Sequence, residues 1–250
     1  MKNWKLNIAL LVVFYLIFMI ANVPAAMVVG QLTLPGTLKV APVTGTLWSG
    51  QTSAVQYQQE YFTNVKWQLN PLGLLLGNLS GSINFGKASD GQSVSGSGNV
   101  TTNFAMDVYS ASDFTLRYPA ADLIKKAGWN LPTKVGGKIE LKLNDFVSAK
   151  PYCEVLEGTV VWRNATIQGF KGEIKLGKLD AELSCKKGEV IAKVTKKNPL
   201  GLQVTSVIGA NNKFGVEGFV KPNGDMPDEV HQAMKFLGNP DKQGRFPLKF

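Results

Sequence analysis

Few side chains in this sequence are of a type and spacing that could do chemistry. Asp107, Asp113 and Asp122 come closest to a carboxylate set of the kind that general acid–base catalysis uses. They lie in strand-like sequence at spacings that give no reason to converge, so three solvated positions are expected. His231 is the only histidine and falls in a helical segment near the C-terminus, where a surface or helix-end role is expected. Gly86-Lys87-Ala88-Ser89 lacks the glycine-rich lead of a phosphate loop, and neither a Gly-x-Ser-x-Gly elbow nor a His-Glu-x-x-His pair occurs. Cys153 and Cys185, even with His231, are too few ligands for a zinc site. The reading is therefore no catalytic residue, no metal and no cofactor. What remains is a pair of thiols whose fate depends on the compartment.

The N-terminal segment decides that compartment. Lys2, Lys5 and the terminal amine precede an unbroken apolar run from Ile8 to Ala21, with Trp4 at its start. Val23 to Val29 is again mostly apolar, and no Lys or Arg follows until Lys39. A helix rises about 1.5 Å per residue, so about 20 residues cross the hydrocarbon core. The lysine asymmetry puts the N-terminus in the cytoplasm and the bulk beyond the membrane. The expected division is residues 1–5 cytoplasmic, 6–26 as the anchor and 27–250 as a β-rich domain. A cleavable signal peptide is the alternative, with Val23-Pro24-Ala25 and Ala26 as the small-residue site. The run is long for such a peptide and Met27-Val28-Val29 continues it, so an uncleaved anchor is favoured. In an exported chain an even cysteine pair points to a Cys153–Cys185 disulfide, with two buried thiols as the alternative. Closing that loop of about 33 residues is worth roughly 3.7 kcal/mol in the chain-entropy account.

Composition and period describe the domain. Charged residues are only 18% against a usual quarter, while Gly numbers 26, which favours short strands and tight turns. The net charge of +9 is spread over many strand-like segments without an aromatic-basic block, so nucleic-acid binding is not expected. Ile139, Leu141 and Leu143 alternate with Lys138, Glu140 and Lys142. Leu179, Ala181, Leu183 and Cys185 alternate with Asp180, Glu182 and Ser184, and Val190, Ala192 and Val194 repeat the pattern. Such alternation marks antiparallel strands with one dry and one wet face. Asn130, Gly136-Gly137, Gly169, Lys187-Gly188 and Asn211-Asn212 read as the turns between them. Two internal helices are expected, Ala120–Ala127 and Asp228–Leu237. The second has Pro227 at its start, an acidic first turn, the stripe Val230, Ala233, Met234 and Leu237, and Gly238 to stop it. Ser89–Gly98 reads as a linker or long hairpin loop. Asn70-Pro71-Leu72-Gly73-Leu74 recurs as residues 198–202, and Gly45-Thr46-Leu47-Trp48 has an echo at Gly158–Trp162, a hint of two related halves.

These words, taken in order, carry a resemblance. The short start and single anchor, Gly45-Thr46-Leu47-Trp48-Ser49-Gly50, Trp67-Gln68-Leu69-Asn70-Pro71, Tyr152-Cys153 with Cys185, Asn198-Pro199-Leu200-Gly201 and Gly244-Arg245-Phe246-Pro247-Leu248 resemble the protein N family of the type II secretion system. The resemblance implies a single-pass inner-membrane accessory that supports export of folded proteins across the outer membrane. It implies other secretion subunits and the inner membrane as partners, and no catalytic residues. A more distant similarity to AsmA-like periplasmic proteins implies a curved antiparallel β-sheet with an apolar groove, so a lipid- or hydrophobe-binding protein is the second reading. Phe246, Leu248 and Phe250 alternate like the last strand of an outer-membrane barrel, the third reading, which Pro247 disfavours. Trp48, Trp67 and Trp162 are expected in the core or on a sheet face. Lys171, Lys175, Lys178, Lys186, Lys187, Lys193, Lys196 and Lys197 read as a solvated face, or as a basic rim for acidic groups.

Overall fold

The computed structural model of the chain describes residues 4–31, 35–87, 93–128, 133–195 and 197–249. Lys2, Asn130, Lys196 and Phe250, and residues 89–92 of the expected linker, lie outside them. The apolar run forms α1 (Trp4–Ala21), 18 residues with no buried side chain. At about 1.5 Å per residue it is about 27 Å long, close to the thickness of a hydrocarbon core. Its apolar sequence does not simply continue. Pro24 removes a donor and restricts the residue before it, so the chain turns at Asn22–Pro24 and restarts as α2 (Ala25–Gln31).

Among the described residues that follow, fourteen strands form one open antiparallel sheet. They are β1 (Leu38–Val40), β2 (Val43–Gly45), β3 (Ser49–Tyr57), β4 (Glu60–Asn70), β5 (Asn78–Phe85), β6 (Ser95–Asn103) and β7 (Tyr109–Pro119). Then follow β8 (Val135–Ser148), β9 (Cys153–Gly169), β10 (Gly172–Lys186), β11 (Glu189–Val194), β12 (Gln203–Gly209), β13 (Lys213–Val220) and β14 (Phe246–Lys249). From β3 onward each strand pairs with the next in sequence, while β1 and β2 share the outer edge of β3. β14 pairs only with β13, so the described strands do not close and the barrel reading falls. Three short helices interrupt the meander: α3 (Pro71–Leu75), α4 (Ala120–Lys126) and α5 (Asp228–Met234), the last extended by a 3₁₀ turn to Leu237. The last two are the helices expected from sequence.

The alternation positions two faces. Leu116, Leu141, Val160 and Ala181 are cross-strand neighbours on one face, and Arg117, Glu140, Val161 and Asp180 on the other. The sheet curls toward its apolar face. Tyr118 on β7 donates a hydrogen bond to Glu60 on β4 at 2.8 Å, although three strand spacings would hold their backbones about 14 Å apart in a flat sheet. Register shifts in the β6–β7, β8–β9 and β9–β10 pairs supply local bends.

Two expectations are corrected by this pairing. Gly136-Gly137 is not a turn: it lies inside β8 at a register shift, where Gly137 adopts φ +90° and a Cβ would sit 2.4 Å from the Arg163 carbonyl. Ser95–Gly98 is not a linker but the start of β6, paired on both sides. Its glycines leave room for neighbours, since a Cβ on Gly96 would meet the Phe85 ring at 2.5 Å and one on Gly98 the Phe114 backbone at 2.4 Å. Glycine here serves sheet packing rather than chain flexibility.

Candidate interaction site: a sheet with a partly covered apolar face

The N-terminal helix α1 is joined to the sheet by specific bonds. A helix leaves its last carbonyls without intrahelical partners. Here the Trp48 indole donates to the Ile20 carbonyl at 2.8 Å, and the Asn22 amide donates to the Phe18 carbonyl at 2.8 Å. The Leu47 N–H donates to Val23 at 2.9 Å, Pro24 bridges to Thr46, and Ala25 of α2 is 1% exposed. The Val23–Ala26 segment, the candidate cleavage site, is thereby built into the folded joint. Trp67 and Trp162 donate to the carbonyls of Leu47 and Gly136 at 3.0 and 2.9 Å. All three tryptophans thus fix backbone on or beside the sheet.

The apolar face is covered at one end only. There α5 and the loop before it lay Met226 and Val230 on Ala165, Ile174 and Leu176, with Trp162, Leu200 and Met234 around them. A groove of about 760 Å³ remains beside this cluster, lined by Ile167, Leu176, Leu200, Val230 and Met234. The Glu229 carboxylate accepts from the Phe170 N–H at 2.8 Å and so ties the β9–β10 tip to α5. His231 lies half-buried on the same helix. Along the middle of the face Leu116, Leu141, Val160 and Ala181 are all half-exposed. At the other end Leu69, Leu79, Val100, Tyr109 and Phe146 border a second groove of about 270 Å³ with almost no polar lining. No helix covers it.

The opposite face carries the strongest electrostatics. Glu140, 4% exposed, accepts from Arg117 Nε and Arg163 Nη2, each at 2.9 Å, with Lys142 at 3.5 Å. The two guanidinium groups outweigh the effect of burial and hold its carboxyl down at about 2, Arg163 contributing most. Lys178 pairs with Asp180 at 2.7 Å. Where the sheet curls, the Lys126 ammonium bonds Glu60 at 2.8 Å and holds its carboxyl below the ordinary range. Burial, aided by Glu60, pushes the Tyr118 phenol up to about 12. The Glu140 cluster was invisible in sequence: Lys138-Glu140-Lys142 marked a wet face, but both arginines lie 23 residues away.

The other sequence candidates fall apart in space. Asp107 closes the β6–β7 loop against Asn103, Asp113 sits at φ +49° within β7, and Asp122 occupies the first turn of α4. Among the described residues no three His, Cys, Asp or Glu side chains assemble as a metal site would require. The lysine-rich stretch is not one patch either. Lys171 is at one end of β10 and Lys186-Lys187 at the other, about 50 Å apart along a 15-residue strand. Cys153 and Cys185 are joined, with sulfurs 2.10 Å and Cα atoms 6.1 Å apart. The bridge ties the start of β9 to the end of β10, beside a Tyr152 N–H to Gly188 carbonyl bond of 3.2 Å.

No solved structure shows significant similarity to the chain. Sequence relatives are clear. A type II secretion system protein N from Aeromonas hydrophila is 34% identical across 100% of this chain and 98% of its own length. One from Vibrio cholerae is 29% identical over 92% of this chain and 90% of its own. The family profile described as type II secretion system (T2SS), protein N, matches residues 36–249, which include every described strand. With its single apolar N-terminal helix, its disulfide and its open antiparallel sheet, this chain belongs to the type II secretion system protein N family.

Proposed function

We propose that the protein is a non-catalytic, single-pass accessory of the secretion apparatus in the bacterial inner membrane. In this reading α1 spans the membrane with its N-terminus in the cytoplasm, and residues from about 27 onward stand in the periplasm. The observation that carries the role is the apolar sheet face, covered by α5 at one end and bare at the other. Contiguous exposed apolar surface on an exported domain marks an interaction site. Its occupant is an apolar segment of another secretion subunit. Photo-crosslinkers at Val100 and Leu141 should capture such a subunit in cells that express the complete apparatus. Equivalent probes at Lys142, on the opposite face, should not. Equal capture from both faces would sink the proposal.

A second reading follows from the groove bordered by Leu69, Leu79, Val100 and Phe146, whose lining is almost purely apolar. That chemistry suits an acyl chain, which would make the protein a lipid-binding one. Native mass spectrometry of gently purified protein separates the two: a stoichiometric lipid that is lost on Val100→Asp favours the lipid. For topology, a periplasm-dependent reporter fused after Phe250 should be active, and a mature chain starting near Ala26 would remove the anchor.

A further inference from the structure

The joint between anchor and sheet fixes which end of the strands faces the membrane. Trp48, bonded to the Ile20 carbonyl at 2.8 Å, immediately precedes β3. β3 begins beside the end of β4, with Ser49 opposite Gln68 and the Leu69 N–H donating to the Trp48 carbonyl at 2.7 Å. The antiparallel register carries this end across the sheet. Asn70 ends β4 and leads into α3, and β5 starts at Asn78 opposite Asn103, the end of β6. The β6–β7 loop follows, then Tyr109, which opens β7 opposite Thr102. Thus α3 and the β6–β7 loop lie at the end where α1 departs. They are about 5 to 19 Å from β3 at the usual spacing between strands.

Between α2 and the β6–β7 loop that end exposes bulky apolar side chains. Leu72 and Leu76 of the α3 turn are 65% and 79% exposed, Phe104 and Met106 of the β6–β7 loop 60% each, and Val108 42%; Met27 of α2 is 59% exposed. Loop residues have no strand face to satisfy, so bulky apolar side chains are not needed there for the fold. The Trp48 indole at the end of α1 adds the aromatic group expected at a membrane–water interface. We propose that this rim, formed by Met27, Leu72, Leu76, Phe104, Met106 and Val108, is immersed in the outer leaflet of the membrane that α1 crosses. The sheet then rests on the bilayer by α2 and two loops as well as by its helix, and the groove bordered by Leu69, Leu79 and Tyr109 opens beside the lipid surface. The inference rests on the reading that α1 spans the membrane.

The test uses the full chain with its disulfide intact, reconstituted into vesicles of phosphatidylethanolamine with phosphatidylglycerol as the minor lipid. An environment-sensitive fluorophore is attached at Leu76→Cys, at Phe104→Cys, or at Phe170→Cys, the last at the opposite end of the strands and fully exposed. Interfacial side chains sit about 5–10 Å deep, so a doxyl group high on the lipid acyl chain should quench probes 76 and 104 about twofold. Their emission should shift to the blue, and probe 170 should do neither. Alkaline carbonate extraction of the same vesicles reports on the anchor separately. If the chain resists extraction while probes 76 and 104 respond like probe 170, the anchor stands and the immersed rim is wrong. If they become shielded only when other secretion subunits are added, the rim is a protein surface and the proposal is also wrong. A chain released by carbonate overturns the anchor and the rim together.

Discussion

The β9–β10 hairpin is held in different ways at its two ends. At the tip, Ala165, Ile174 and Leu176 are 0, 6 and 4% exposed beneath Val230 of α5. At the base no helix among the described residues arrives, and the Cys153–Cys185 bridge joins the strands covalently. Burial at the tip removes apolar area from water and leaves a partner only the groove beside α5. A disulfide acts mainly by restricting the unfolded chain and leaves the folded surface free. An open sheet can thereby be stable and still present a bare apolar face.

The largest expected effect breaks the base. Cys185→Ser should cost roughly 3.7 kcal/mol by the loop-entropy account, read as a lower urea midpoint with an altered slope. A loss below about 1 kcal/mol would mean that burial, and not the bridge, holds both ends. At the tip, Leu176→Ala should cost about 3 kcal/mol, the usual range for a leucine removed from a packed cluster. Its effect should add to that of Cys185→Ser if the two ends are independent, and a double-mutant cycle measures this.

Between the ends, the Glu140 cluster ties β7, β8 and β9 on the opposite face. Its folded carboxyl titrates at about 2, below the ordinary 4.5, so its contribution is complete above pH 4.5 and is lost as pH falls toward 2. Glu140→Gln should cost about 2 kcal/mol at neutral pH, reduced by the exposure of its arginine partners, and should flatten the acid limb of a stability–pH curve. An unchanged limb would show that the cluster is a solvated ladder. The smallest effect belongs to the open groove. Val100, 39% exposed, should lose under about 1 kcal/mol on substitution by Ala while crosslinking to a partner falls. A larger loss would mean that the groove is core and not a binding surface.

The sequence alone determined the parts whose signals are local. Length and apolarity mark an N-terminal helix, although the expected span of 6–26 is interrupted after Ala21; two-residue alternation marks the strands, and Pro227 with Gly238 brackets the C-terminal helix. The cysteine pair was legible because an exported chain makes a bridge the default. Features that depend on pairing across the sheet were not legible. Glycines in Ser95–Gly98 look like a linker until Phe85 and Phe114 are placed against them. Arg117 and Arg163 become partners of Glu140 only once β7 and β9 flank β8. The repeated pentapeptide makes the point most directly. At residues 70–74 Asn70 accepts from the Leu72 N–H and the word begins α3. At 198–202 Asn198 bonds both backbone groups of Leu202, while Pro199 and Leu200 accept from Asn223 and Lys221 and Gly201 takes φ +56°. Five identical residues carry the same propensities, so the choice between helix and turn was made by the chain segments packed against them, which only the tertiary structure supplies.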